Sequence, residues 1–329
     1  MPRAEAVEVF LAESPTSQVV QERPRLLVME SGVDETETKR IVTRLGLTHD
    51  ASAYLFESEW DAARVQAVAS VSKLEENIRF AVRADRLATS GPRRTVAEKE
   101  LGAALSSTRR VDLKSPDAIV RAFIDGDYVW VGRQLWSRDP KETEARHVKH
   151  RPVGSPVSLP PKTARALINL AGAPRSGVVY DPFCGTGGVI LEGASMGLQL
   201  IGSDLDIDMV AATKKNLAHY GLSATDVFQA DVGDAPDALK DRGLPRLDAI
   251  VTDLPYGRSA SSGKEALGKL YDRAFVAIRD CLPTGARAVI GLPSDAAARR
   301  AQEVLEPVDL FKVWVHRSLT RHFVVLKKR

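Results

Sequence analysis

The chain has only two cysteines in 329 residues, Cys184 and Cys281. Two such distant thiols make neither a disulfide framework nor a cysteine-rich metal centre. No apolar run is long enough to span a bilayer. The first ten residues, MPRAEAVEVF, lack the apolar core and cleavage site of a secretory leader. No Gly-x-x-x-x-Gly-Lys-Ser/Thr loop occurs, which disfavours a nucleoside triphosphatase. Internal repeats and low-complexity tracts are also missing. These absences leave a soluble cytoplasmic protein, with no membrane partner and no metal expected. At this length, two or three domains are expected rather than one core.

The net charge of +3 hides a segregation. Residues 1–60 carry six Lys/Arg against eleven Asp/Glu, whereas residues 79–114 carry nine against four. The second run includes Arg93, Arg94, Arg109, Arg110 and Lys114, and RHVKHR (146–151) adds Lys149 and Arg151. One basic run alone reads equally well as a solvated face. Two in the same half of the chain point to a polyanion partner.

The C-terminal half alternates strand and helix patterns. GVVYD (177–181) is an apolar run ending in Asp181, followed by the glycine-rich turn FCGTGG and a helical stretch. LQLIGSD (198–204), DVFQAD (226–231) and LDAIVTD (247–253) read as further strands, each ending in aspartate. Helices are expected over 206–221, 264–282 and 294–305, the last capped by Ser294. ARAVIGLP (286–293) is a strand, and two final strands joined by a turn close the chain. This pattern implies an α/β fold, a parallel, doubly wound sheet with an antiparallel pair at one edge. Ligands of such sheets bind beyond the carboxyl ends of the strands. One aspartate there reads most simply as a helix cap; four in register do not.

The N-terminal half is less regular. Strands are expected at 54–58, 78–84 and 128–132, and helices at 61–73 and 95–107. The proline-rich basic stretch 146–162 reads as a linker.

The turn after Asp181 supplies glycine backbone that a ligand can approach and a helix N-terminus behind it. Its spacing is not that of a dinucleotide fingerprint. Asp204, ending the next strand, is placed to bind ribose hydroxyls, and Asp231 to accept from an adenine amine. An adenosine with an amino-acid tail and no phosphate suits this set, which describes S-adenosylmethionine. Cys184 has no neighbouring base to activate it and reads as a small turn-filling residue. Trp130, Trp136 and Trp314 read as packing residues.

The series D-P-F-C-G-T-G, G-S-D, A-D and D-L-P-Y resembles the motifs of S-adenosylmethionine-dependent methyltransferases that modify exocyclic amines. Leu254 departs from that family's first proline. The D-L-P-Y-G form, with RPVGSPVSLPPKTARALINLA (151–171) ahead of the cofactor motif, is similar to archaeal tRNA methyltransferases acting on the guanosine 2-amino group at tRNA position 10. Upstream, 78–132 resembles a THUMP RNA-binding domain, and 44–58 also fits that family.

The resemblance implies a Rossmann-like, seven-stranded class I methyltransferase domain at 161–329 and a basic linker at 141–160. Before them it implies a THUMP-like domain at 73–140 and a ferredoxin-like module at 1–72, together an α+β RNA-binding region. The cofactor site would comprise Asp181, Phe183, Gly185, Gly187, Asp204 and Asp231, with Thr163 from the preceding segment. Asp253, Leu254, Pro255 and Tyr256 would carry the chemistry. The basic residues named above, with Arg258, would hold phosphates, and the THUMP-like domain would grip the tRNA 3′ end. A monomer acting without an obligatory activating subunit is expected. Rival readings are a guanine-amine methyltransferase of ribosomal RNA and a non-catalytic THUMP-type RNA-binding protein.

Overall fold

The computed structural model describes residues 1–70, 73–75, 77–106, 109–256, 267–317 and 319–329. The chain forms two compact units. One comprises Thr16–Thr43 and Thr48–Arg138; the other comprises Met1–Pro15, Arg44–Leu47 and Asp139–Arg329. The first helix, α1 (Pro2–Glu13), therefore belongs with the C-terminal unit.

In the first unit, β1 (Gln18–Arg23) and β2 (Leu26–Glu30) form an antiparallel pair. Helix α2 (Glu35–Val42) starts where the Asp34 carboxylate accepts from Glu37 N–H at 2.8 Å, an N-cap that satisfies one free donor. Strand β3 (Asp50–Glu59) leads through α3 (Ala63–Ser70) to β4 (Arg79–Arg86), α4 (Arg94–Leu105), β5 (Arg110–Val111), β6 (Ala118–Asp125) and β7 (Tyr128–Ser137). These strands make one sheet in the order β3-β7-β6-β4-β5. Its core gathers Leu55, Phe80, Val82, Leu101, Leu105 and Val131. Strand β3 pairs along its length with β7, so the sheet crosses the boundary expected at 72/73.

The second unit holds a seven-stranded sheet, as the methyltransferase reading requires. Short α5 (Pro140–Glu144) and α6 (Pro161–Leu170) precede β8 (Val178–Asp181), α7 (Gly188–Ser195) and β9 (Gln199–Asp204). Then come α8 (Ile207–His219), β10 (Asp226–Gln229), α9 (Ala235–Asp241), β11 (Ala249–Asp253), α10 (Leu267–Cys281), β12 (Arg287–Leu292) and α11 (Asp295–Val304). Strands β13 (Glu306–His316) and β14 (Leu319–Lys327) end the chain. The order is β10-β9-β8-β11-β12-β14-β13, with β14 antiparallel to both neighbours. Strands β8, β11 and β12 are buried on both faces, hence their continuous apolar sequences. The order reverses at β8, which pairs with β9 on one side and β11 on the other; a crevice opens at such a switch point.

Asp181, Asp204 and Asp253 are the last residues of their strands. Asp231 is not: β10 stops at Gln229, and Asp231 caps a short 3-10 turn by accepting from Gly233 N–H at 2.7 Å. Helix-capping chemistry decided that position against strand continuation.

The expected spacer at 141–160 is packed into this unit. Arg146 makes a two-pronged bond, at 2.8 and 3.0 Å, with Glu192 on α7, which Arg165 also approaches at 3.4 Å. Glu192 is fully buried. At the other end of the chain, buried Glu5 on α1 accepts from the N–H groups of Gly46 and Leu47 and from Asn169. Residues 1–15 and 44–47 are thus fastened to α6 by a satisfied buried carboxylate. Among the described residues, no helix is long and apolar enough to cross a membrane, and no His/Cys/Asp/Glu group could hold a metal ion.

Glu192→Gln removes the buried charge that half-buried Arg146 and buried Arg165 share, although Arg165 keeps Glu142 at 3.9 Å. Its expected cost is about 3–5 kcal/mol, read from the denaturant midpoint of unfolding. A loss below about 1 kcal/mol would contradict the anchoring role given to Glu192.

Candidate active site

The glycine turn links β8 to α7. Gly185 and Gly187 have φ of +51° and +85°, where a side chain is strained. A Cβ on Gly187 would lie 3.0 Å from Thr213, while one on Gly185 would meet nothing within 4 Å. The turn is thus packed from behind and open in front. Asp204 fixes it from β9: Oδ2 accepts from Gly185 N–H at 2.9 Å, and Oδ1 from Asp206 N–H at 3.1 Å. Burial raises the Asp204 carboxyl above the usual range, against those hydrogen bonds.

Asp181 is 3% exposed and accepts from Phe183 N–H at 3.1 Å. Burial, with smaller contributions from the charges of Asp204 and Asp253, pushes its carboxyl up to about 7. Phe183 packs partly buried against the core. Thr163 lies half-buried in the first turn of α6. Cys184 is buried, and burial drives its thiol well above the ordinary value, so it is no nucleophile. The Asp231 carboxylate is engaged by Arg273 at 2.5 Å, which holds it below the usual range. An amine reaching Asp231 would share it with that guanidinium.

Beyond β11, Leu254 is fully buried in the core, and its N–H donates to the Gly291 carbonyl at 3.1 Å. A proline there would lose that bond, which gives Leu254 a physical reason. Tyr271 on α10 holds the Pro255 carbonyl at 2.8 Å.

Arg321, 5% exposed on β14, closes the site. Its Nη2 lies 3.4 Å from Asp253 Oδ2 and donates to the Val157 carbonyl at 2.6 Å. Its Nε donates to the Tyr256 hydroxyl, which donates to Asp253 Oδ2 at 3.4 Å. The guanidinium also lies 5.6 Å from the Tyr256 ring centre. Asp253 Oδ1 is buried against Gly291 and, among the described residues, has no hydrogen-bond partner. A carboxylate oxygen kept dry and unpaired is costly, and in a native site it asks for a ligand donor. Burial pushes the Asp253 carboxyl up to about 6, with the Arg321 charge and the Tyr256 hydroxyl pulling it down.

Neither Arg321 nor Gly291 is expected from the sequence. Register sets Gly291 opposite Asp253, and a Cβ there would collide with Asp253 Oδ1. For Arg321 the one available signal is an arginine heading an apolar strand, a cation that burial obliges to find a partner.

The expected phosphate-binding residues diverge. Arg93, Arg94, Arg110 and Lys114 are exposed on the first unit, Arg94 paired with Glu98 at 3.0 Å. Arg109 is half-buried and holds the carbonyls of Glu75 and Leu74. Lys149 is exposed and paired with Glu144. Arg151 is buried, its Nε donating to the Arg146 carbonyl and both Nη atoms without a partner. Burial, not solvent-facing phosphate contact, is what the fold gives Arg151. Arg258 lies outside the described residues.

Residues 148–322 match the family described as RMKL-like, methyltransferase domain. The chain belongs to that family. It is an S-adenosylmethionine-dependent methyltransferase. Among curated relatives, the tRNA (guanine(10)-N2)-dimethyltransferase of Pyrococcus abyssi is 32% identical, the match covering 100% of this chain and 97% of that one. The tRNA (guanine(10)-N2)-dimethyltransferase of Methanothermobacter thermautotrophicus is 30% identical, with 100% and 96% covered. Among solved structures, TrmN from Thermus thermophilus superposes with a TM-score of 0.54 at 24% identity, over 95% of this chain and 92% of that one; this likeness speaks to the fold. The residues present fit the methyl donor: an open glycine turn and strand-end acids at Asp181 and Asp204.

Gly291→Ala forces Asp253 to move. The expected result is an approximately hundredfold fall in methyl transfer, with a stability loss of about 1–3 kcal/mol from overpacking. Initial rates beside thermal unfolding curves check this; unchanged transfer would show that the carboxylate's position is not set by that contact.

Proposed function

We propose that the enzyme methylates the exocyclic 2-amino group of guanosine 10 in tRNA, adding one or two methyl groups. The observation that carries the chemistry is the buried Asp253 carboxylate, bonded to Tyr256 and Arg321 through Oδ2 alone, at the end of the strand next to β8. The tRNA substrate, the guanine amine and position 10 are supported by end-to-end similarity to relatives named for that reaction.

The bound cofactor supplies an electrophilic methyl group on a sulfonium. The residues of this chain must supply a competent nucleophile and its alignment. A guanine 2-amino group is a weak nucleophile because its lone pair is shared with the ring. The Asp253 carboxylate accepts one amine hydrogen and so localises the lone pair. As the N–C bond forms and the C–S bond breaks, the nitrogen becomes acidic, and the carboxylate takes the proton directly or through water. The bonding electron pair leaves with sulfur. The Leu254 carbonyl is the second acceptor. Pro255 stiffens the loop and Tyr256 offers a face for the extracted base, worth about 1–3 kcal/mol per stacked base. A paired guanine must first leave its helix, at a cost of a few kcal/mol. Asp204 serves the cofactor's ribose and Asp181 the glycine turn, with Phe183, Gly185, Gly187 and Thr163 around them. Asp231 serves the adenine edge together with Arg273.

In this reading the first unit is the RNA-gripping region, a THUMP-like domain following a ferredoxin-like module, with Arg93, Arg94, Arg110 and Lys114 on phosphates. Such contacts position the RNA and make binding salt-dependent.

The test is transfer from labelled S-adenosylmethionine to an unmodified tRNA transcript, with nucleoside analysis, site mapping and Asp253→Ala in parallel. Methylated guanosine at position 10, absent with the variant, is expected. Label at another nucleotide overturns the position, and no label on tRNA overturns the substrate.

A further inference from the structure

We propose that Arg321 is a positioning residue for methyl transfer: it fixes the Asp253 carboxylate, as an anion, at the end of β11 where the target amine must be met. The inference rests on the functional reading above.

Three features of the structure support it. First, one guanidinium joins three separate pieces of chain: Asp253 and Tyr256 after β11, the Val157 carbonyl ahead of α6, and its own strand β14. Arg321 and Tyr256 are sixty-five residues apart in sequence. The planar fork makes such simultaneous bonds possible, and an ammonium does not reproduce them. Second, the bonds are one-sided. Arg321 and Tyr256 both address Oδ2 of Asp253, and Oδ1 has no partner. Oδ1 packs against Gly291, so the carboxylate is fixed on both sides, by Arg321 and Tyr256 at Oδ2 and by the neighbouring strand at Oδ1. Third, Arg321 is 5% exposed, so water screens the pair little.

Among the described residues, four groups interact electrostatically with Asp253. Asp181 comes from β8, Tyr256 from its own loop, Tyr271 from α10 and Arg321 from β14. Asp181 disfavours a negative charge there and the Tyr256 hydroxyl favours it; among the described residues, Arg321 supplies the cation. The sign follows. Burial raises the Asp253 carboxyl and Arg321 lowers it, so removing Arg321 raises it further. Transfer needs the anion, so activity falls as pH drops through that value, and without Arg321 it falls at higher pH. Asp181 is pushed up to about 7 and is coupled to Asp253, so cofactor binding is measured across the same pH range to separate the two groups.

The experiment compares pH profiles of kcat, with cofactor and RNA saturating, for wild type, Arg321→Gln and Arg321→Lys. Wild type is expected to lose activity around the Asp253 value of about 6. Arg321→Gln keeps a side-chain donor but no charge, and its acid limb is expected to move up by about one to three pH units. Arg321→Lys keeps the charge but not the fork; its limb is expected to stay, with kcat down about tenfold or more. A Gln limb that stays at the wild-type pH overturns the proposal. So does wild-type kcat in the Lys variant, a result independent of whether the Gln variant folds. Wild type inactive on tRNA contradicts the functional reading instead, and the profiles are then read on whichever guanine-bearing RNA it does methylate.

Discussion

A carboxylate removed from water at the end of a parallel strand must be paired, hydrogen-bonded or protonated. Asp253 meets that constraint with only one of its two oxygens. Arg321 and Tyr256 take Oδ2; Oδ1 is buried and unpaired. Much of the C-terminal unit serves this arrangement. Strand β14 runs antiparallel beside β12 and so carries Arg321 to the site. Gly291 in β12 leaves room for the carboxylate, and its carbonyl receives the Leu254 N–H. Tyr271 holds the proline of the loop from α10. The cofactor side obeys the same logic: Asp204 is raised by burial and steadied by two backbone N–H groups, one of which fixes the glycine turn.

What could be read from the sequence follows from what each residue needs locally. Strands β8, β9, β11 and β12 are buried runs bounded by glycine, proline or aspartate, and such runs announce themselves. The glycine turn and the D-L-P-Y stretch are local too. Arg321 and Gly291 act only through pairing with distant strands, and no periodicity encodes that register. A capping aspartate such as Asp231 and a strand-end aspartate look alike after an apolar run. Strand β6 lies centrally in its sheet, yet its stretch AIVRAFID alternates buried and half-buried residues and carries Arg121 and Asp125, which mute the apolar signal. The stretch 146–162 reads as a basic, proline-rich linker. Arg146 instead pairs with a buried glutamate and Arg151 is itself buried, pairings that a charge count does not show.

The division of the chain follows packing more than linear order. Helix α1 and residues 44–47 belong with the catalytic unit because Glu5 needs the N–H groups of Gly46 and Leu47 and the amide of Asn169. The five-stranded sheet of the other unit draws on residues either side of 72. Family membership fixes the class of reaction. The geometry at Asp253 supports the choice of an amine as the group that accepts the methyl.

The most direct test of that central claim is methyl transfer to a tRNA carrying inosine in place of guanosine at position 10. Inosine lacks only the 2-amino group. The account predicts that label incorporation at that nucleotide disappears while binding of the tRNA persists. Label retained on the inosine would contradict it, because the accepting atom would then not be the amine that Asp253 is arranged to meet.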